Sequence, residues 1–386
     1  MSLRVLHITT NSGGGAGIAA LRIHQALLKN GVDSHLLFLK GSTPQNIPNV
    51  HSIKEFKNPW LVFLIDKLNR ILNYRFGIGK PDCFFNSPFS LFRLHKLPFI
   101  QDFDLINLHW VVKFIDITSF FSKINKPIVW TMHDMNPFSG GLHYKTDYEE
   151  KAYKQLEEKF VQIKKTAYSH ARIGIISPSV WLLEESKKAA IFPAQTHFTA
   201  IKNPIDIEKY APSGEADYEK KIVLFIAEKS GDKRKGLTYL YKAVEELKEK
   251  QLEWVVLGNP DEHCPKQIKQ MGFVSSSEAL VQWYKKAGVF VIPSIEDNLP
   301  NTVVESLACG TPVVGFDTGG IKDMIEHKEN GYLVPLKDTK QLAEGIEYAL
   351  QHQQELSKNA RLFAVKNFAS DTVASQYKLF YEKMLS

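Results

Sequence analysis

Along the chain, short runs of consecutive apolar residues alternate with longer segments in which apolar positions recur every three or four residues. The short runs read as strands buried on both faces, and the longer segments as helices that turn one face to a core. In the first half, strand-like runs fall at 5–9, 34–39, 105–108, 128–132 and 173–177, with a helix from Ile18 after the first. A second series begins at "KIVLFIAEKS" and continues through a helix over 237–250, "LEWVVLGNP", "VFVIPS", a helix over 301–308 and "TPVVGFDTGG". Alternation of this kind builds doubly wound parallel sheets with helices on both faces, so the fold class expected is α/β with two Rossmann-like domains. The segment 147–170, rich in Glu and Lys, reads as an exposed helix, and Asn203-Pro204 reads as a break. These signals divide the chain into an N-terminal domain over 1–202, a C-terminal domain over 203–365 and a last segment over 366–386, with a helix around 371–385. In open parallel sheets ligands sit beyond the carboxyl ends of the strands, so the loops after these strands carry the candidate chemistry.

Length agrees with this division, because 386 residues exceed what one core usually supports. The composition, 44% hydrophobic and 23% charged, is that of an ordinary globular protein. Cys83, Cys264 and Cys309 stand far apart with no CxxC pair, which argues against a disulfide framework, a zinc site or a c-type haem and suits a reducing cytoplasm. The N-terminus lacks the apolar core of a signal peptide, and no apolar run approaches the roughly 18 residues of a membrane span. A cytoplasmic location is therefore expected. The net charge of +6 is mild and no nucleic-acid partner is expected, but basic residues outnumber acidic ones in the first hundred positions. Within that half, "NPWLVFLIDKLNRILNYRFG" sets Trp60, Leu61, Leu64, Leu68, Ile71 and Leu72 at helical spacing, with Lys67, Arg70 and Arg75 at other positions. Such a helix either packs its apolar stripe on its own domain or lies on anionic lipid, as a peripheral contact with the inner face of a membrane.

The first strand runs into "NSGGGAGIAA", where Gly15 to Ala20 satisfy the G-x-G-x-x-A form of a dinucleotide fingerprint. That reading also requires an Asp or Glu at the end of the next strand to bind a ribose diol. Lys40 and Gly41 stand there instead, which disfavours an NAD-dependent oxidoreductase.

The most informative stretch is "PSIEDNLPNTVVESLACGTPVVGFDTGG", residues 293–320. An acidic loop, Glu296-Asp297-Asn298, follows a strand and leads through Leu299 and Pro300 into a helix from Asn301, which ends at Cys309-Gly310. The first turn of a helix offers backbone N–H groups and a positive dipole end, which together suit a phosphate. Asp297 and Glu305 both border that mouth. Two histidines also directly follow strand-like runs: His109 after "DLINL", and His133, with Asp134 beside it, after "IVWTM".

The pattern P-S-x-x-acid-N-x-P-N-T-x-x-E-S-x-A-C-G-T-P-V-V resembles the nucleotide-binding signature of family 4 retaining glycosyltransferases of the GT-B fold, particularly those of exopolysaccharide synthesis of the colanic-acid type. Further pieces occur in matching order, among them "DLINLHWV", "PIVWTMHDMNPFSGGLHY", "ISPSVWL", "IKNPID", "KRKGLTYL" and "NGYLVP". The resemblance implies that Asp297 and Glu305 are the two acids of the E-x7-E motif, the first near the donor sugar and the second at the ribose, with Asp where Glu is usual. It places the basic pair, commonly Arg and Lys before a glycine, on Lys229 and Lys235. Asn298, Leu299, Pro300, Asn301 and Thr302 would line the donor site. Gly258, Asn259, Phe273 and Val274 would surround the base, Gly14 and Gly15 would face the donor phosphate and sugar, and Gly15 would also meet the acceptor. His109 matches the family histidine near the donor sugar, and His133, Asp134, Ser139 and Gly140 are left for the acceptor, with Ser139-Gly140-Gly141 as a flexible loop and His143 and Tyr144 nearby.

The physical need for the cations is independent of family: a diphosphate leaving group gathers negative charge as the sugar bond breaks, and preorganised positive groups stabilise it. No D-x-D metal motif is apparent, so lysines and a helix N-terminus would replace a metal, and no cofactor beyond the nucleotide-sugar co-substrate is expected. The implied activity is retaining transfer of a sugar from UDP or GDP to a hydroxyl of a glycan or lipid-linked glycan, with a cleft between the domains and the last helix crossing back onto the first. Rivals are a nucleotide-sugar epimerase or phosphorylase of the same fold, a non-catalytic nucleotide-sugar-binding partner of a membrane complex, and the NAD-dependent oxidoreductase.

Overall fold

The computed structural model describes residues 3–44, 46–75, 85–149, 153–212, 214, 218–227 and 232–386. Two sequence-stretch candidates, Lys229 and Cys83, lie outside the described residues. The chain divides into two compact units: Met1–Pro204 with Asp371–Ser386, and Ile205–Ser370.

The first unit opens with β1 (Arg4–Asn11), α1 (Gly14–Lys29), β2 (Asp33–Lys40), β3 (Val50–Ser52) and α2 (Pro59–Arg75). It continues through β4 (Leu105–Leu108), α3 (Ile117–Lys123), β5 (Ile128–Thr131), α4 (Lys154–Tyr168), β6 (Ile173–Ser177), α5 (Val180–Lys188) and β7 (His197–Ala200). The strands pair in parallel in the order β3-β2-β1-β4-β5-β6-β7. Every residue of β4, β5 and β6 is buried, as strands covered on both faces require.

The second unit holds β8 (Ile222–Ala227), α6 (Leu237–Glu246), β9 (Glu253–Gly258), β10 (Ile268–Gln270), α7 (Ser277–Lys286) and β11 (Val289–Ile292). After these come α8 (Asn301–Ala308), β12 (Val313–Phe316), β13 (Gly331–Val334), α9 (Thr339–Gln351) and α10 (Gln353–Phe368). Its parallel sheet runs β10-β9-β8-β11-β12-β13, with one apolar cluster on each face.

The last helix, α11 (Ser370–Leu385), packs on the first unit's sheet. Val373, Tyr377, Phe380, Tyr381 and Met384 join one cluster with Val5, Leu105, Val129 and Ile176. Tyr381 also accepts a hydrogen bond from buried Asn107 at 2.6 Å.

Together these features give two Rossmann-like units. Each sheet has one point where successive strands depart to opposite sides: between β1 and β4 in the first unit, and between β8 and β11 in the second. Beyond the carboxyl ends at such a point a crevice opens without any special side chain, because the two connections diverge.

Candidate active site

In the second unit, the loop after β8 carries Lys235 and the loop after β11 carries Asp297, so both stand at the switch point. Their side chains meet: Lys235 Nζ lies 2.6 Å from Asp297 Oδ2, and Arg234 Nη1 lies 3.5 Å from the same oxygen. The Asn298 backbone N–H donates to Asp297 Oδ1 at 3.0 Å. Burial alone would raise the pKa of Asp297, but the charges of Lys235 and then Arg234 outweigh it and hold the carboxyl below its ordinary range. The carboxylate is therefore ionised although buried.

Local sequence explains this placement. Asp232 accepts from the Arg234 N–H and closes a single 3-10 turn over Lys233–Lys235, which ends at Gly236 with φ 72°. A Cβ at Gly236 would overlap the Pro293 carbonyl, so only glycine lets this turn approach the β11 loop. Arg234 then ties the two loops together, donating to the Glu296 carbonyl at 2.9 Å while its own carbonyl accepts from Ile295 N–H.

The head of α8 has Pro300 as its cap residue, whose side chain makes no cap hydrogen bond. Asn301 and Thr302 there are half-buried, and Leu299 is buried. Glu305 is buried and accepts from Tyr284 Oη at 3.0 Å. Buried Ser294 Oγ has no hydrogen-bond partner among the described residues, an uncommon state for a hydroxyl beside an ion pair. Toward the sheet edge, Gly258 N–H donates to the Gly272 carbonyl, Asn259 and Phe273 are exposed, and Val274 packs on the core. An exposed phenyl ring beside an open loop can stack on a planar base.

In the first unit, Gly13, Gly14 and Gly15 begin α1 beyond β1 with open space where side chains would be. Across the switch point stands a row of three imidazoles. His7 Nδ1 lies 2.9 Å from His109 Nε2, and His109 Nδ1 lies 3.0 Å from His133 Nε2. Burial first, and then the neighbouring imidazoles, push the pKa of His109 well below its usual value; burial brings His133 down to about 4 against the pull of Asp134. All three rings are neutral at pH 7. Both nitrogens of buried His109 are taken by the other two rings, so the outward end of the row is half-buried His133.

Two expectations change here. The Glu- and Lys-rich helix is exposed on one face only: Glu158, Lys159, Gln162 and Lys165 of α4 face solvent, while Glu157, Phe160, Lys164 and Tyr168 are buried. Nor is Ser139-Gly140-Gly141 a flexible loop, because α4 clamps it. Glu157 accepts from the Gly140 and Gly141 N–H groups at 2.5 and 2.7 Å, and Lys164 Nζ donates to the Asn136 and Ser139 carbonyls at 2.5 and 2.9 Å. A Cβ at Gly140 would overlap Glu157, so this glycine serves close approach. Ser139 Oγ is turned to the Leu142 carbonyl, and Asp134 is buried between His143 Nδ1 at 2.6 Å, Trp110 Nε1 at 3.0 Å and the Asn136 N–H. Ser139, Gly140 and Asp134 thus hold the wall that supports His133. The sequence reading missed Arg234, His7, Glu157, Lys164 and Tyr284. Only the α4 pair left a signal, the 157-160-164-168 spacing of one helix face.

At the end of β2, where a ribose-binding acid would be required, Lys40 is ion-paired with Asp66 at 2.9 Å. The site is therefore a crevice made by two cationic loop residues and a helix head, without the acid that a dinucleotide would require.

Residues 220–352 match the family described as Glycosyl transferases group 1. An uncharacterised glycosyltransferase of Haemophilus influenzae is 25% identical over 158 residues, 37% of this chain and 44% of the relative. The N,N'-diacetylbacillosaminyl-diphospho-undecaprenol alpha-1,3-N-acetylgalactosaminyltransferase of Campylobacter jejuni is 27% identical over 176 residues, 43% of this chain and 46% of the relative. The chain thus spans just under half the length of these curated relatives. Among solved structures, sucrose-phosphate synthase of Thermosynechococcus elongatus superposes with a TM-score of 0.72 at 18% identity over 99% of both chains. The Anabaena protein HepE in complex with UDP-glucose gives 0.69 at 16% identity, covering 99% of this chain and all of that one.

Proposed function

We propose that the chain is a glycosyltransferase that moves a sugar, with retention at the anomeric carbon and without a metal ion, from UDP or GDP to a hydroxyl of a glycan or lipid-linked glycan in bacterial surface polysaccharide synthesis. The observation that carries this reading is the Lys235–Asp297 pair at the β8/β11 switch point, on the loop that leads into α8. Lys235, Arg234 and the α8 N–H groups supply positive charge to a diphosphate, while ionised Asp297 accepts hydrogen bonds from sugar hydroxyls. Buried Ser294 gains a partner when phosphate oxygens enter. Glu305, held by Tyr284, serves the ribose, and Phe273 the base. Lys229, outside the described residues, would add a further cation.

During transfer the bond from the anomeric carbon to the diphosphate oxygen breaks, and its electron pair stays on the leaving oxygen. The acceptor oxygen bonds the same carbon from the same face, and its proton passes to the departing phosphate. No protein base is needed. The protein contributes preorganised charge at the leaving group, worth a factor of about 10²–10³ for each well-placed donor. The first unit would bind the acceptor, with neutral His133 and the Gly13–Gly15 loop as its contacts and His109 acting through His133 as a positioning residue. The name of the Campylobacter relative, whose acceptor is a diphospho-undecaprenol, supports the lipid-linked class. The complex of HepE with UDP-glucose supports a nucleotide sugar.

Incubation with a panel of UDP- and GDP-sugars and a lipid-linked glycan, followed by NMR of the product, tests the reading. A product with the donor's anomeric configuration is expected. An inverted product would overturn retention, and turnover of the donor without acceptor to an epimer would replace transfer by epimerisation.

A further inference from the structure

Helix α2 is built inside out. Its inward face is Val62, Asp66, Asn69 and Asn73, all buried. The two asparagines are fully used: Asn69 donates to Ser90 Oγ and the Lys113 carbonyl and accepts from Leu91 N–H, while Asn73 Oδ1 accepts from the Ser87 N–H and hydroxyl. The helix is thus anchored by polar contacts. Its apolar residues point the other way, with Trp60 73% exposed, Phe63 60%, Ile71 51% and Tyr74 78%, and Leu64 and Leu68 exposed between them. Scattered exposed apolar residues are ordinary, but a contiguous stripe along a whole helix marks a surface that meets something apolar.

Charge identifies the occupant. Lys67 stands in the middle of this stripe, between Leu64 and Ile71 on successive turns, and it is exposed with no ion pair among the described residues. A lysine there is poorly suited to the dry centre of a protein interface. At a bilayer its methylene stem lies along the acyl boundary while the ammonium reaches the headgroups. On the flank of the helix, Asp66 is shared by Lys40 at 2.9 Å and Arg70 at 2.8 Å. Two largely exposed cations thus share one carboxylate and leave a surplus of one positive charge on that flank. Trp60 and Tyr74 stand at the two ends of the helix, separated by about 21 Å of rise, each an aromatic suited to the headgroup level.

We infer that α2 is a docking helix that lies in the plane of an anionic lipid leaflet, with its Trp60–Tyr74 stripe in the acyl boundary and Lys67, Lys40 and Arg70 on lipid phosphates. The docking does not rest on the transfer reaction, since partition is read without turnover. No helix among the described residues is long and apolar enough to cross a membrane, so attachment through α2 would be reversible.

The test is co-sedimentation of the full chain with vesicles of phosphatidylcholine alone or with phosphatidylglycerol, together with light scattering of the protein in solution. Binding to the anionic vesicles is expected, with weak binding to the neutral ones and a decline with salt. Phe63→Glu combined with Ile71→Glu should abolish it, and Lys67→Glu should reduce it roughly tenfold. All three side chains are exposed, so unchanged thermal melting is the expected control. Equal binding of wild type and variants, no binding to anionic vesicles, or a homodimer that dissociates with the same substitutions would overturn the inference.

Discussion

A neutral imidazole carries one N–H and one lone pair, so the two contacts in the row His7–His109–His133 must run in the same sense. The tautomer of His7 therefore fixes what His133 offers to a ligand. Buried His7 Nε2 has no partner among the described residues, and an unsatisfied lone pair there is a smaller loss than an unsatisfied N–H. That favours a row in which His7 donates to His109 and His109 to His133, which puts the proton of His133 on Nδ1. The same burial makes the unit sensitive to acid. His24 and His133 each have a pKa of about 4 in the fold against 6.5 in an open chain, and those of His7 and His109 are lowered too. Between these values the unfolded chain binds protons that the native one does not. The stabilisation from neutral histidines is therefore complete above pH 6.5 and is lost as pH falls toward 4. Hydrogen exchange of β4 and β5 amides, corrected for intrinsic rate, should accelerate over that window. For β11, beside Asp297 whose pKa is lowered from 3.8, acceleration is expected only below about pH 4.

At the scale of elements, α4 shows how a charged helix becomes a structural part. Glu157 satisfies two backbone N–H groups of the Gly140 loop, and Lys164 two of its carbonyls. Burial pushes the Lys164 pKa down to about 8, while Glu157 and Asp134 pull it upward. Replacing Glu157 by Gln or Lys164 by Met leaves buried partners uncompensated, and each should cost about 3 kcal/mol in urea denaturation. A loss within 0.5 kcal/mol for both would mean that the clamp is dispensable. What was legible in the sequence follows from the same physics. Strands β4 and β6 and helix α8 fall where continuous apolar runs and the Gly310 stop place them, because burial on both faces leaves no other pattern. Short β7, β10 and β13 lack long apolar runs and left no clear signal. For α4 and α2, periodicity gave two faces but not which one turns inward. That depends on partners far along the chain: the Gly140 loop for Glu157, and Ser87, Ser90 and Lys113 for the asparagines of α2.

For the whole molecule, two sheets of the same style each place their unusual residues beyond one switch point, and the second unit brings two cations and a buried carboxylate together there. The candidate cations were visible in "GDKRKG" as charges in a loop, but the pairing of Lys235 and Arg234 with Asp297 was not, since those residues are 62 and 63 positions apart and meet only because β8 and β11 are neighbours. The central claim is that this cluster holds the diphosphate of a nucleotide sugar. Isothermal titration of UDP and GDP into the wild-type chain and into Lys235→Ala tests it most directly. One of the two nucleotides should bind the wild type, with affinity reduced at least tenfold in the variant, about 1.4 kcal/mol, at a temperature where circular dichroism shows both proteins folded. Binding of neither nucleotide, or equal binding by both proteins, would contradict the account.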